Sequence, residues 1–177
     1  MKVVLRILDT LENAMGWLGN LALAVLMLAV AMDVGGRYFL NSPISGVYEI
    51  GETYLMVAIV FLGLAQAQRH GVNVRVLFVF ERFPAQMRLV LEVAYLLAAA
   101  LVFGLIAWRA AETGLHEIAL RRWTTGVVPI PTGPSWLIVA LGSGVLTLRL
   151  AVDALRTALG HRDPVALDHH AEGELVE

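Results

Sequence analysis

Four times along the chain, polar residues thin out for about the length that crosses a bilayer: residues 14–36, 47–68, 89–111 and 134–155. A hydrocarbon core about 30 Å thick takes roughly 20 mostly apolar residues of helix. These runs are too long for strands and lack the period-two alternation of a membrane barrel, so helices are the way to satisfy their backbone groups in lipid. The pattern predicts an all-α, polytopic membrane protein with four transmembrane helices in one domain, residues 1–160. After it, residues 161–177 ("HRDPVALDHHAEGELVE") are polar and acidic and read as a disordered tail.

The connections differ in kind. "NSPISG", residues 41–46, has a proline among turn-forming polar residues and predicts an antiparallel helix hairpin. Residues 69–88, "RHGVNVRVLFVFERFPAQMR", are too apolar for a solvated loop and too charged to span. They suit an amphipathic interfacial helix whose arginines reach the headgroups, because the strand-like alternation over 72–80 would leave an open edge in lipid. The third connection, 112–133, offers a second surface helix ("ETGLHEIALRRW") and then "TTGVVPIPTGP", whose prolines stop any helix before the fourth span.

Composition agrees: 58% of the 177 residues are hydrophobic and the mean hydropathy is +0.72, beyond what a soluble domain of this size carries. A net charge of -2 points to no nucleic-acid partner, and the lack of cysteine excludes disulfides, thiolate metal sites and a thiol nucleophile. Of the 13 lysines and arginines, all but Arg37, Arg109, Arg121 and Arg122 fall on the side shared by the two termini and the second connection. Both termini are therefore expected in the cytoplasm. Trp17, Tyr38, Tyr48, Tyr54, Trp108 and Trp136 lie near span ends, as an interfacial aromatic belt requires. The stretch "LALAVLMLAVAM" resembles a signal-peptide core, but Asp9 and Glu12 precede it where a signal would be short and basic.

Reaction chemistry is hard to assemble from these residues. The five histidines, His70, His116, His161, His169 and His170, occupy connections or the tail, so the facing imidazoles of a haem-binding bundle are missing. Thr53, Ser135, Ser143 and Thr147 have no histidine or lysine at matching depth to activate them. Small residues such as "GSG", 142–144, suit close helix packing. No phosphate loop or dinucleotide fingerprint occurs. The chain is read as no enzyme, with no cofactor and no metal.

Ionisable residues at the span ends carry the remaining signal, because charge at membrane depth is costly and normally paired. One rim gathers Asp33, Arg37, Glu49, Glu52 and Arg109, with Glu112 beside the last. Asp33 and Arg37 are four apart and Glu49 and Glu52 three apart, so each pair shares a helix face. The hairpin at Pro43 is expected to bring Arg37 toward Glu49 or Glu52. The other rim holds Glu92, Arg149 and Asp153, expected to link the third and fourth helices. A structural network is the favoured reading of the first cluster. The alternative is an autonomous proton-coupled transporter or channel using Glu49 or Glu52, although coupling sites usually sit at the midplane between inverted repeats.

The order of features in "GRYFLNSPISGVYEIGETYLMVAIVFLGLAQAQRHGVNVRV", together with "VPIPTGPSW" opening the last helix, resembles the small membrane subunit (DctQ-type, small permease) of tripartite ATP-independent periplasmic (TRAP) transporters. An Arg-aromatic pair ends helix one, Asn and Pro form the turn, Glu49 opens helix two, and "FLG" precedes an arginine before glycine. One departure is that Asn73 and Leu77 stand where the family often has a histidine and an acid, so no role of those residues carries over. The resemblance implies a scaffold subunit in a bacterial inner membrane. Its implied partners are a large multi-helix subunit that moves an organic acid on a cation gradient, a periplasmic substrate-binding protein, and membrane lipid. Arg121 and Arg122, on the outer connection, are candidate contacts for the periplasmic protein.

Overall fold

The computed structural model describes residues 2–42, 44–69 and 85–159. Residues 70–84, most of the expected interfacial segment, and the tail lie outside the described residues. So do Pro43, His70, Asn73, Leu77 and the three tail histidines. Four long helices form: α1 Lys2–Leu40, α2 Val47–Arg69, α3 Ala85–Ala119 and α4 Gly133–Ala158. Each is long and apolar enough to cross a membrane.

Two helices outrun their apolar spans. α1 has 39 residues, about 58 Å at 1.5 Å per residue, well beyond the hydrocarbon thickness. It continues because the inward stripe continues: buried Leu8, Glu12, Met15, Gly19, Ala22 and Asp33 are separated by helical spacings. α3 has 35 residues, about 52 Å, and it absorbs the surface helix expected to begin at Glu112. No breaker separates the two parts, and Gly114 lets this extension lie close to the carbonyl of Gly133 and the side chain of Trp136 at the start of α4.

The helices pack as a row of neighbours in the order α1, α2, α4, α3, with only a slight contact between α1 and α4. α4 therefore has a partner on either side, and it holds much of the buried interior, including Val139, Gly142, Val145, Leu146 and Leu150. At the end of the bundle near the chain's N-terminus, Leu8, Met15, Ala65, Leu96, Ala100 and Leu150 form one apolar cluster drawn from all four helices. α2 and α4 cross where Gly142 meets the backbone of Phe61. Two hydroxyls of α4 are spent within the helix: Ser143 donates to the carbonyl of Val139 and Thr147 to that of Ser143 at 2.7 Å. Many large apolar side chains face outward, among them Trp17, Met27, Leu101 and Leu141. Such faces are ordinary where the solvent is lipid.

The turn between α1 and α2 is made by backbone geometry as well as sequence. Asn41 takes a left-handed conformation, φ 52°, just past the end of α1, and Gly46 takes φ 94° just before α2. Asparagine tolerates this region and glycine enters it freely. α2 then contains one π turn, Gly51–Leu55.

Candidate functional site

Polar side chains concentrate at the two ends of the bundle. At the end near the N-terminus, Arg149 of α4 is buried and faces three carboxylates. Its Nη1 lies 3.0 Å from Asp9 Oδ1 and 3.3 Å from Glu12 Oε2, and its Nε lies 3.3 Å from Asp153. Arg69, at the end of α2, approaches Asp9 at 3.5 Å and donates to Asn13 Oδ1 at 3.0 Å. Three helices are thus tied through one ionic cluster. Glu12 is fully buried, and its Oε1 has no hydrogen-bond partner among the described residues.

Sequence spacing anticipates the pairing of Arg149 with Asp153, one helical turn apart. The ion pairs of Arg149 beyond its own helix run to α1, to Asp9 and Glu12. Glu92 is half-buried on α3. Sequence reasoning misses Asp9, Glu12 and Asn13 as site residues because they precede residue 14, where the first apolar run begins. The recoverable signal is that Glu12, Met15, Gly19 and Ala22 continue one helical face without a break. Arg69, expected to reach headgroups, turns instead to α1.

The other end is built around the two short connections. Asp33 is buried near the end of α1, pairs with Arg37 at 2.7 Å, and accepts the backbone N–H of Ile44 at 2.9 Å. Its carboxylate thus secures the turn into α2. Arg37 pairs with Asp33 and not with the expected Glu49 or Glu52, since four-residue spacing on one helix requires no tertiary closure. Glu49 instead reaches the third connection, where its Oε1 accepts the N–H of Val127 at 2.9 Å. Gly126 permits this approach, because a side chain there would collide with the Glu49 carboxylate.

The π turn explains why Glu49 and Glu52 part company. One turn with i→i+5 bonding interrupts the 3.6-residue repeat that would place them on one face. Glu52 is exposed, whereas Glu49 and Tyr54 both contact the third connection. The Tyr54 hydroxyl donates to the carbonyl of Pro131. That connection is closed on itself by an antiparallel bridge between Trp123 and Pro131, and Thr124 N–H donates to the Ile130 carbonyl at 2.8 Å. Glu117 at the end of α3 anchors it, pairing with Arg122 at 3.2 Å and accepting from the Thr132 hydroxyl at 2.8 Å. Arg121 is exposed, with φ 48°. Arg109 pairs with Glu112 at 2.9 Å on the exposed face of α3 and stays apart from the Asp33 group.

Replacing Glu49 by alanine removes the acceptor for Val127 N–H. The expected cost is about 1 kcal/mol of overall stability, with faster amide hydrogen exchange confined to residues 124–128. Unchanged exchange there would show that Glu49 does not hold the connection.

Charged side chains at both ends join the protein's own helices and connections, and the hydroxyls of Ser143 and Thr147 bond within α4. Among the described residues no group of histidine and carboxylate side chains is placed to hold a metal. This defines a multi-pass helical membrane protein assembled around structural ion pairs. Residues 26–160 match the family model for tripartite ATP-independent periplasmic transporters, DctQ component, and the chain belongs to that family. It is a transporter subunit and not an enzyme. Comparison with curated proteins gives no match.

Proposed function

We propose that this chain is the scaffold subunit of a TRAP-type secondary transporter that imports an organic acid. A periplasmic binding protein delivers the substrate, and a large membrane subunit moves it on a cation gradient. The observation that carries this reading is that Arg149, Asp33, Glu49 and Glu117 are engaged with the chain's own helices and connections. A rigid support needs such a network; a carrier acting alone needs ionisable groups open to its cargo. The distribution of lysine and arginine favours a bacterial inner membrane orientation with both termini cytoplasmic. The third connection then lies on the periplasmic side, where exposed Arg121 and Arg122 offer positive charge to the binding protein.

Co-expression with a TRAP large membrane subunit from the same source is expected to yield a stable complex through a tag on this chain. Substrate uptake into proteoliposomes should require both membrane subunits. Robust uptake by this chain alone would overturn the reading. Within the complex, Arg121→Glu with Arg122→Glu is expected to weaken binding-protein docking, most visibly at low salt; unchanged docking would remove these two residues from the contact.

A further inference from the structure

The third connection does not stand clear of the bundle; it folds back along the first turns of α2. Its Val128 side chain lies against Gly46, so close that a Cβ there would come within 3.3 Å of it. Val127 N–H donates to Glu49, and the Pro131 carbonyl accepts from Tyr54. Tyr54 lies about two turns, or about 10 Å, inside the apolar span that begins at Val47. At this level the side chains of Tyr48 and Ile50 on α2 face outward, as other lipid-facing residues of the spans do. On the connection beside them, Trp123 is 57% exposed and Val127 82%.

Backbone at that depth meets less water than a loop above the membrane, so its polar groups need partners of their own. Much of that demand is met within the protein. Thr124 N–H donates to the Ile130 carbonyl at 2.8 Å, Thr132 N–H to the Arg122 carbonyl at 3.2 Å, and Ile130 N–H to Thr124 Oγ1 at 3.0 Å. Pro129 and Pro131 have no N–H to place. Charge sets the limit in the other direction, because Glu52 is exposed on the same turns of α2 and Arg122 on the connection. Such groups reach headgroups and not the hydrocarbon centre, which is the zone that tryptophan favours. We infer that residues 123–131 are seated in the membrane interface, with Trp123 and Val127 against phospholipid. The connection thereby fixes the depth at which α3 passes into α4.

The inference rests on the four helices being membrane spans and is independent of the transport reading. The chain has no cysteine, so Val127→Cys and Trp123→Cys each create a unique site for a nitroxide label. The full chain is reconstituted in vesicles of phosphatidylethanolamine and phosphatidylglycerol, with Leu101→Cys, outward-facing within the α3 span, as the deep reference. Spin relaxation is then measured with oxygen, which concentrates in lipid, and with a water-soluble nickel chelate. Oxygen is expected to relax the labels at 123 and 127 more than the chelate does, with a balance shallower than at 101. A label relaxed mainly by the chelate would mean a solvated loop, and a label shielded from both reagents would mean a protein cover; either result overturns the proposal. Val127 is so exposed that its replacement leaves the fold intact, so Val127→Cys decides the question even where Trp123→Cys fails to fold.

Discussion

Arg149→Met is expected to be among the most damaging single substitutions in this chain, lowering stability by about 3–5 kcal/mol. The side chain of Arg149 is 8% exposed and meets carboxylates on both α1 and α4. Among the described residues, removing it leaves Asp9 the longer contact to Arg69, and it takes from Asp153 its guanidinium neighbour on the same helix. The direct tie between α1 and α4, otherwise lightly packed against each other, goes with it. Thermal unfolding in detergent should show the loss as a large drop in midpoint. Adding Glu12→Leu to Arg149→Met should restore part of it, since Glu12 is the fully buried carboxylate that loses Arg149. By comparison, Arg37→Ala should cost under about 1 kcal/mol, because Arg37 is 61% exposed in its pair with Asp33. Equal effects of Arg149→Met and Arg37→Ala would refute the assignment of the buried cluster as the stronger tie.

The second large effect is expected at Gly142. A Cβ built there falls onto the backbone carbonyl of Phe61, with the Phe61 side chain also in the way. Backbone cannot yield as a flexible side chain can, so Gly142→Ala forces α2 and α4 apart at their crossing. A loss of about 1–3 kcal/mol is expected, and Gly142→Leu should abolish recovery of folded protein. Gly144→Ala is the matched comparison. Nothing lies within 4 Å of a Cβ at that position, and alanine favours helix by up to about 1 kcal/mol over glycine, so the variant should melt at or above the wild-type temperature. Thermal unfolding of the two alanine variants side by side decides the matter; similar losses at both positions would show that the crossing does not depend on Gly142.

The pair Gly142 and Gly144 also shows where reading the chain stops. "GSG" marks a place where small residues serve packing, but which of the two glycines meets a neighbour depends on how α4 is rotated against α2. That rotation is a property of two helices together. The same holds for Glu49 and Glu52. Their spacing implies a shared face, yet a π turn redirects the helix and sends Glu49 to an amide 78 residues away. Arg37 met the partner four residues before it, which local spacing already offered, and not the one across the hairpin. Arg149 was legible as a charge needing a partner, and its pairing with Asp153 followed from one turn of helix. Its ties to Asp9 and Glu12 span 140 and 137 residues, and no local pattern carries them.

Taken alone, the sequence determined the four apolar helices, the membrane as their solvent, the hairpin at residues 41–46 and the resemblance to TRAP small subunits. These rest on length, hydropathy and local spacing, which act along the chain. Tertiary structure alone decided the row α1, α2, α4, α3, the continuation of α1 and α3 past their spans, the fastening of the third connection to α2, and the buried cluster around Arg149. In lipid, an apolar residue gains little by choosing one apolar neighbour over another, so hydropathy places helices in the membrane without arranging them. Their arrangement comes from close backbone approach at glycine and from the few charges that must find partners, and both become visible only when the helices stand side by side.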